Sequence, residues 1–277
     1  LSLKEPKDYK LIGTWQKNVE GPKIVTGKQL FGLDFKRESM LLAMIEHPPA
    51  FGMKVKNFNK EEIKAMEGIQ DAFVVDTTIP EPGWADVNAF NQLIAIVGNS
   101  TWQLMQAKKM LRVNWENVSA LESSEMHEQR LIKDLERGEI AESRKDGNPD
   151  AAFAKATKVI ERTYSSPFIA HNTLEPMNFF ADVKENSVEL IGPTQTPKAL
   201  EDSVSKLLEI PAENITVSMT RIGGGFGRRL YVHFGVEAAA ISKKMGAPIK
   251  LIYTREDDMT QGTYRPAYRS VYKAGLD

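Results

Sequence analysis

RIGGGFGRR, Arg221 to Arg229, sets four glycines into five consecutive positions between a strand-like run and a helix-like run. Upstream, Asn214 to Ile222 places Ile215, Val217, Met219 and Arg221 on one side of a period-2 pattern, which predicts a strand. Downstream, Phe234 to Met245 predicts an alanine-rich helix closed by Gly246. Gly223, Gly224, Gly225 and Gly227 therefore fall at the carboxyl end of a strand. There a chain without Cβ atoms can turn through positive φ and aim its N–H groups at an anion or polar ligand. Phe226 alone carries bulk in the loop, and Arg228 and Arg229 follow it, suited to an oxyanion or to ion pairs within the protein. The loop is not a P-loop, since no Gly-Lys-Ser/Thr ending follows. The G-x-G-x-x-G dinucleotide pattern also fails, with Arg228 standing in place of its last glycine. Such a loop serves equally as a structural bend or as a ligand cradle, so its neighbours must decide.

Outward from this loop the alternation continues. A strand at Val188 to Gly192, a loop at Pro193 to Pro197 and a helix at Lys198 to Leu208 lead into it, and a strand at Ile249 to Tyr253 follows. Leu200, Val204, Leu207 and Leu208 have the spacing of a helix buried on one face. If the strands before Gln195 and before the glycines are parallel, both loops open at the sheet edge where α/β proteins bind ligands. Further strands are expected at Lys158 to Tyr164 and Phe179 to Lys184, after a short helix at Ala151 to Ala156. The first half alternates likewise, with strands at Leu41 to Ile45, Asp71 to Val75, Leu93 to Val97 and Arg112 to Trp115, and helices at Lys60 to Met66 and Thr101 to Met110. The fold class is therefore α/β (α+β). Residues 1–22 read as a linker, 23–117 as one α/β domain, 118–150 as a charged connection and 151–277 as the first part of a second α/β domain. Two separate units are expected, not one sheet shared by Val74 and Val217. Trp84, Trp102, Met105, Met110 and Trp115 are expected to pack in the first core.

A length of 277 residues, 42% hydrophobic and 26% charged, gives material for two cores. A formal charge of −1 offers no global attraction to nucleic acid, and no run of about 18 apolar residues could span a bilayer. Zero cysteines exclude disulfides, thiolate zinc sites, a cysteine nucleophile and an internally ligated iron–sulfur cluster, and leave the compartment open. Redox chemistry would need a borrowed cofactor. The start LSLKEPKDYK has neither an initiator methionine nor a signal-peptide core, and YKAGLD ends within a strand-like run, so an internal fragment is expected.

Other constellations are weaker. His171 and Glu175 in HNTLEP have helical spacing but make no metal site alone, Pro176 argues against a helix, and a polar loop is expected. His47, His127 and His233 lack partners at metal-ligand spacing, and no G-x-S-x-G elbow supports serine hydrolysis. Glu256, Asp257 and Asp258 are expected as a solvated or paired acidic face, with Arg255, Arg228 and Arg229 as possible partners that brace the glycine loop.

PTQTP (Pro193 to Pro197), GGGFGRR (Gly223 to Arg229) and YTREDDM (Tyr253 to Met259) occur with five further motifs. These are KDYKLIG from Lys7, TGKQLFGLD from Thr26, HPPAFG from His47, AHNTLEPMN from Ala170 and TYRPAYR from Thr263. Together they resemble the molybdenum-binding subunit of the molybdenum hydroxylases, the xanthine dehydrogenase/aldehyde oxidase family that includes the beta subunit of isoquinoline 1-oxidoreductase. The resemblance implies a hammerhead-like α/β domain followed by part of a molybdopterin-binding domain. It implies cofactor-binding roles for Gln195, Gly224, Gly225, Phe226, Gly227 and Arg228, with Gln195 bonded to an oxo ligand of molybdenum and the backbone at Phe226 and Gly227 lining metal and pterin. An amide donor and close-approaching glycines suit those tasks. The resemblance further implies molybdopterin, in its cytosine dinucleotide form, with molybdenum in the intact protein, and none bound to this fragment. The other implied elements are a two-iron two-sulfur partner subunit, a small aromatic heterocycle or aldehyde substrate, and a general-base glutamate outside this chain. Relatives that oxidise xanthine read GGGFGGK followed by glutamate; Arg228, Arg229 and Leu230 here argue against a purine. The competing classes are a nucleotide- or NAD-binding α/β enzyme and a non-catalytic interaction module.

Overall fold

A computed structural model describes residues 2–137, 144–260 and 262–277. The strands are β1 (Leu41–Glu46), β2 (Met53–Phe58), β3 (Ile69–Asp76), β4 (Gln92–Gly98), β5 (Val113–Asn117), β6 (Lys158–Ser166), β7 (Asn178–Val183), β8 (Val188–Gly192), β9 (Ile215–Met219), β10 (Ile249–Ile252) and β11 (Tyr268–Leu276). The helices are α1 (Gly21–Val25), α2 (Lys60–Lys64), α3 (Thr101–Met110), α4 (Ser124–Glu136), α5 (Pro149–Lys155), α6 (Pro197–Leu208), α7 (His233–Met245) and α8 (Arg255–Thr260). Seven strands form one mixed sheet in the order β3-β4-β1-β10-β7-β8-β9. Within it β1 with β10 and β8 with β9 are parallel, and the other pairs are antiparallel. Two antiparallel ribbons, β2 with β5 and β6 with β11, stand outside it.

The period-2 pleat divides the central strands between two cores. Along β4, Leu93, Ala95 and Val97 face the core beneath α6 and α7, while Ile94 and Ile96 face the one beneath α2 and α3. Strands apolar on both faces are those of a sheet covered on both sides. Leu200, Val204 and Leu208 of α6 are buried as their spacing predicts. α7 is buried over most of its circumference, and its small residues let it lie close against β7 and β10. Gly246 ends α7 in the left-handed region, its N–H returning to Ser242 O at 2.9 Å.

The expectation of two separate units is corrected. Val74 in β3 and Val217 in β9 belong to the same sheet, because β10 inserts between β1 and β7, with Leu41 opposite Ile249 and Ala181 on its other side. Periodicity reports which face of a strand is buried and carries nothing about which strand lies beside it. The expected aromatic packing is corrected as well. Trp84 and Trp102 are about 70% exposed, Met105 and Met110 are exposed too, and α3 turns Leu104 and Ala107 to the core instead. β2, absent from the expected elements, pairs with β5. β9 stops at Met219, after which Arg221 makes an isolated bridge to Phe31. The charged connection expected over 118–150 contains α4, none of whose residues is buried, and its residues 138–143 lie outside the described residues.

Candidate functional site

β8 and β9 run side by side in parallel, from Val188 opposite Ile215 to Gly192 opposite Met219, with α6 as the crossover between them. The loops that follow them consequently open at one end of the sheet. Gln195 N donates to Arg229 O at 3.0 Å, which joins the two loops. A Cβ placed on Gly225 would come within 2.6 Å of Gln195 Oε1, so the exposed amide lies directly against a glycine that admits no side chain. The two loops therefore meet at Gln195 and Gly225, at the shared sheet edge expected of them.

The loop backbone passes repeatedly through positive φ. Gly224 (φ 101°), Phe226 (φ 52°) and Gly227 (φ 97°) all have positive φ, and Phe226 is 65% exposed. A left-handed phenylalanine costs on the order of 1 kcal/mol or more, so the surrounding structure holds it there. Among the described residues, the N–H groups of Gly224, Gly225, Phe226 and Gly227 meet no protein acceptor. Half-exposed N–H groups on a backbone that turns in this way are suited to an anion, as in the concave nests that backbone N–H groups form.

Behind the loop lies a buried layer of charge. Arg229, fully buried, donates to Gly224 O (2.9 Å), Pro193 O (3.3 Å), Glu175 O (2.8 Å) and Glu175 Oε2 (3.3 Å), gripping the rear of both loops. Burial pushes its pKa down to about 10, with the charge of Glu175 opposing that shift, and it stays cationic at neutral pH. Glu175, also buried, accepts from Gly223 N at 2.8 Å and Leu33 N at 3.1 Å. Arg228 is buried against Asp258 (3.3 Å), Thr263 Oγ1 (3.0 Å) and His233 Nε2 (3.0 Å). Burial, and then the charge of Arg228, push the His233 pKa well down. The ring is therefore neutral, with Nε2 accepting from Arg228 and the proton on Nδ1. Arg265 Nη2 donates to Phe226 O at 3.1 Å, and Arg255 meets Asp258 at 3.3 Å.

His171 lies under the loop, 3.6 Å from where a Cβ on Gly227 would stand. Burial first, then Arg228 and Arg265, push its pKa down. The polar-loop expectation for HNTLEP holds as regards backbone, since 167–177 contains no helix. Of the acidic run, Asp257 and Asp258 of α8 are buried and paired, Asp257 with Lys108 of α3 at 2.6 Å and Asp258 with Arg228 at 3.3 Å. Among the described residues no group of three or more His, Asp or Glu is arranged to hold a metal ion. A cavity of about 540 Å³ between the His47–Gly52 loop, the start of α4 and Tyr264 does not include the glycine loop in its walls.

Residues 132–277 match the molybdopterin cofactor-binding domain. The chain belongs to this family, that of the molybdenum hydroxylases. It is 29% identical over 272 residues to the membrane-bound aldehyde dehydrogenase [pyrroloquinoline-quinone] of Gluconacetobacter polyoxogenes, covering 96% of this chain and 34% of that protein. It is 28% identical over 283 residues to isoquinoline 1-oxidoreductase subunit beta of Brevundimonas diminuta, again covering 96% and 34%. Its fold is similar to that of the CO dehydrogenase from Oligotropha carboxidovorans, with a TM-score of 0.72 at 21% identity over 95% of this chain and 37% of that one. The chain thus spans about a third of the length of these relatives.

The cofactor of a molybdopterin domain fits the loop on local grounds, through the nest of N–H groups and the contact between Gly225 and Gln195 that any Cβ would fill. Of the residues expected at the site, Gln195, Gly224, Gly225, Phe226 and Gly227 come together. Arg228 adjoins them, with its guanidinium buried against Asp258, His233 and Thr263. Glu175 was missed as part of this site. Its sequence signal was a charged residue in an otherwise short polar loop, which by itself distinguishes nothing.

Proposed function

We propose that this chain forms part of the large subunit of a molybdenum-dependent oxidoreductase that hydroxylates an N-heterocyclic aromatic or an aldehyde, with water as the oxygen source. In this proposal electrons pass to a two-iron two-sulfur subunit, and the bound group is the cytosine dinucleotide form of molybdopterin. The observation that carries it is the row of N–H groups from Gly224 to Gly227 beside the Gln195 amide. When bound, the molybdenum cofactor supplies the two-electron redox chemistry that no side chain here can perform. Gly224, Gly225, Phe226 and Gly227 would hold it through backbone N–H groups, and Gln195 would donate its side-chain amide. Arg228 and Arg229, both buried, would brace the loop from behind, Arg229 through its bond to Gly224 O.

Residues 23–117 are assigned as the hammerhead-like portion, 118–150 as the connection and 151–277 as cofactor-binding. The pairing of β1 with β10 makes these portions one sheet. The proposal gives no general base to this chain and expects no turnover and little molybdenum from these 277 residues alone. Elemental analysis and nucleotide release on the intact protein test it. Stoichiometric molybdenum with one cytosine nucleotide per subunit is expected, and Gly227→Val should lower both. Thermal stabilisation by NAD or ATP in a protein devoid of molybdenum would overturn it.

A further inference from the structure

We infer that Glu175 is the positioning residue of the glycine loop, setting the backbone shape that points the N–H groups of Gly224 to Gly227 outward. This rests on the reading of that loop as a cofactor cradle. The carboxylate accepts from four donors in three segments: the glycine loop, the Leu33 segment and the start of β7. Oε2 accepts from Gly223 N (2.8 Å) and Arg229 Nη2 (3.3 Å), and Oε1 accepts from Leu33 N (3.1 Å) and Asn178 Nδ2 (3.0 Å). The Glu175 backbone completes the grip. Its N–H donates to Gly223 O at 3.0 Å, and its carbonyl accepts from Arg229 Nη2 at 2.8 Å and Thr173 Oγ1 at 2.8 Å.

Both hydrogen-bonding groups of Gly223 are therefore bound to a single residue 48 positions earlier in the chain. The Gly223 N–H is committed to Glu175, the left-handed turn at Gly224 follows it, and the next four N–H groups meet no protein acceptor among the described residues. Arg229 neutralises the carboxylate from the same side, so that an anion at the outer face does not meet uncompensated negative charge. A buried ion pair of this kind is poorly explained as a source of stability, because apolar residues of similar volume stabilise a core as well or better. Its geometry is explained if the position of the Gly223 peptide is what it secures. Aspartate would keep the charge opposite Arg229 but withdraw the carboxylate by one methylene, about 1.5 Å, and break the bond to Gly223.

The test uses the intact, cofactor-loaded protein carrying Glu175→Asp or Glu175→Gln, with Tyr253→Phe as a control. That control removes the buried bond from Tyr253 Oη to Glu237, a carboxylate whose other partner is His47 and not the loop. Amide hydrogen exchange and the molybdenum-to-protein ratio after dialysis are read together. Exchange across 221–230 should rise about tenfold or more in Glu175→Asp while β7 and α7 keep their protection, and molybdenum retention should fall. Tyr253→Phe should lower the melting temperature without either local effect. Should Glu175→Gln fail to fold, Glu175→Asp carries the test, since it leaves Arg229 a charged partner. Unchanged exchange over 221–230 in Glu175→Asp overturns the inference, as does loss of protection across the whole sheet. Raised loop exchange with normal molybdenum retention also overturns it, provided that Gly227→Val does lower retention. If Gly227→Val leaves molybdenum unchanged too, the cradle reading itself fails, and the inference falls with it.

Discussion

The glycine-loop region and helix α4 are both rich in charge, yet they use it in opposite ways. Around the loop, Arg228, Arg229, Asp257 and Asp258 are at most 4% exposed, each held by partners from other segments. Along α4, Arg130 is 57% exposed and meets Glu122 at 2.9 Å in water. Ionic groups removed from water depend on their partners, because nothing else replaces the lost hydration. Those in water depend on them little. Charge density alone therefore says nothing about role, and the sheet decides by enclosing one set and leaving the other outside.

The largest effect should come from breaking a buried pair. Arg229→Met leaves Glu175 charged and enclosed, and should lower unfolding free energy by about 3–5 kcal/mol in denaturant titration. A loss under 1 kcal/mol would mean that the buried layer is as tolerant as α4. Next is Gln195→Ala in the intact enzyme, where one hydrogen bond to a charged ligand is removed from a site that stays folded. About 1.5–3 kcal/mol, or roughly 10- to 150-fold in kcat/KM, is expected. An unchanged kcat/KM at normal molybdenum content would reduce the Pro193–Pro197 loop to a turn.

Acid sharpens the contrast further. His233 stays neutral in the fold, whereas unfolded it binds a proton near its ordinary value of 6.5. Below that value the unfolded state holds more protons, so stability falls as pH falls, by at most about 1.4 kcal/mol per unit between pH 6.5 and 5. His171 is shifted in the same direction and adds to the slope. His233→Gln, which keeps an acceptor for Arg228, should flatten the slope in pH-dependent denaturation, and an identical slope would show that this ring is not the source. The smallest effect belongs to Arg130→Ala on α4, which should change unfolding free energy by about 0.5 kcal/mol or less. A cost comparable with that of Arg229→Met would erase the distinction between the regions.

By itself the sequence determined the local elements and the chemistry they could carry. The spacing of Leu200, Val204 and Leu208 gave α6, the alanines up to Gly246 gave α7, and the glycines between Gly223 and Gly227 marked a loop able to bring backbone N–H groups to a ligand. These signals lie within a few residues of one another, where helix period, strand alternation and the missing Cβ act directly. Tertiary structure alone decided that β10 joins both halves into one sheet, that Trp84 and Trp102 face water, and that Arg228 turns inward. It alone brought Glu175 to Arg229, 54 positions away, and to Gly223. Such pairings arise from strand neighbours and buried partners far apart in the chain, and local periodicity carries no record of which distant residue completes a hydrogen bond.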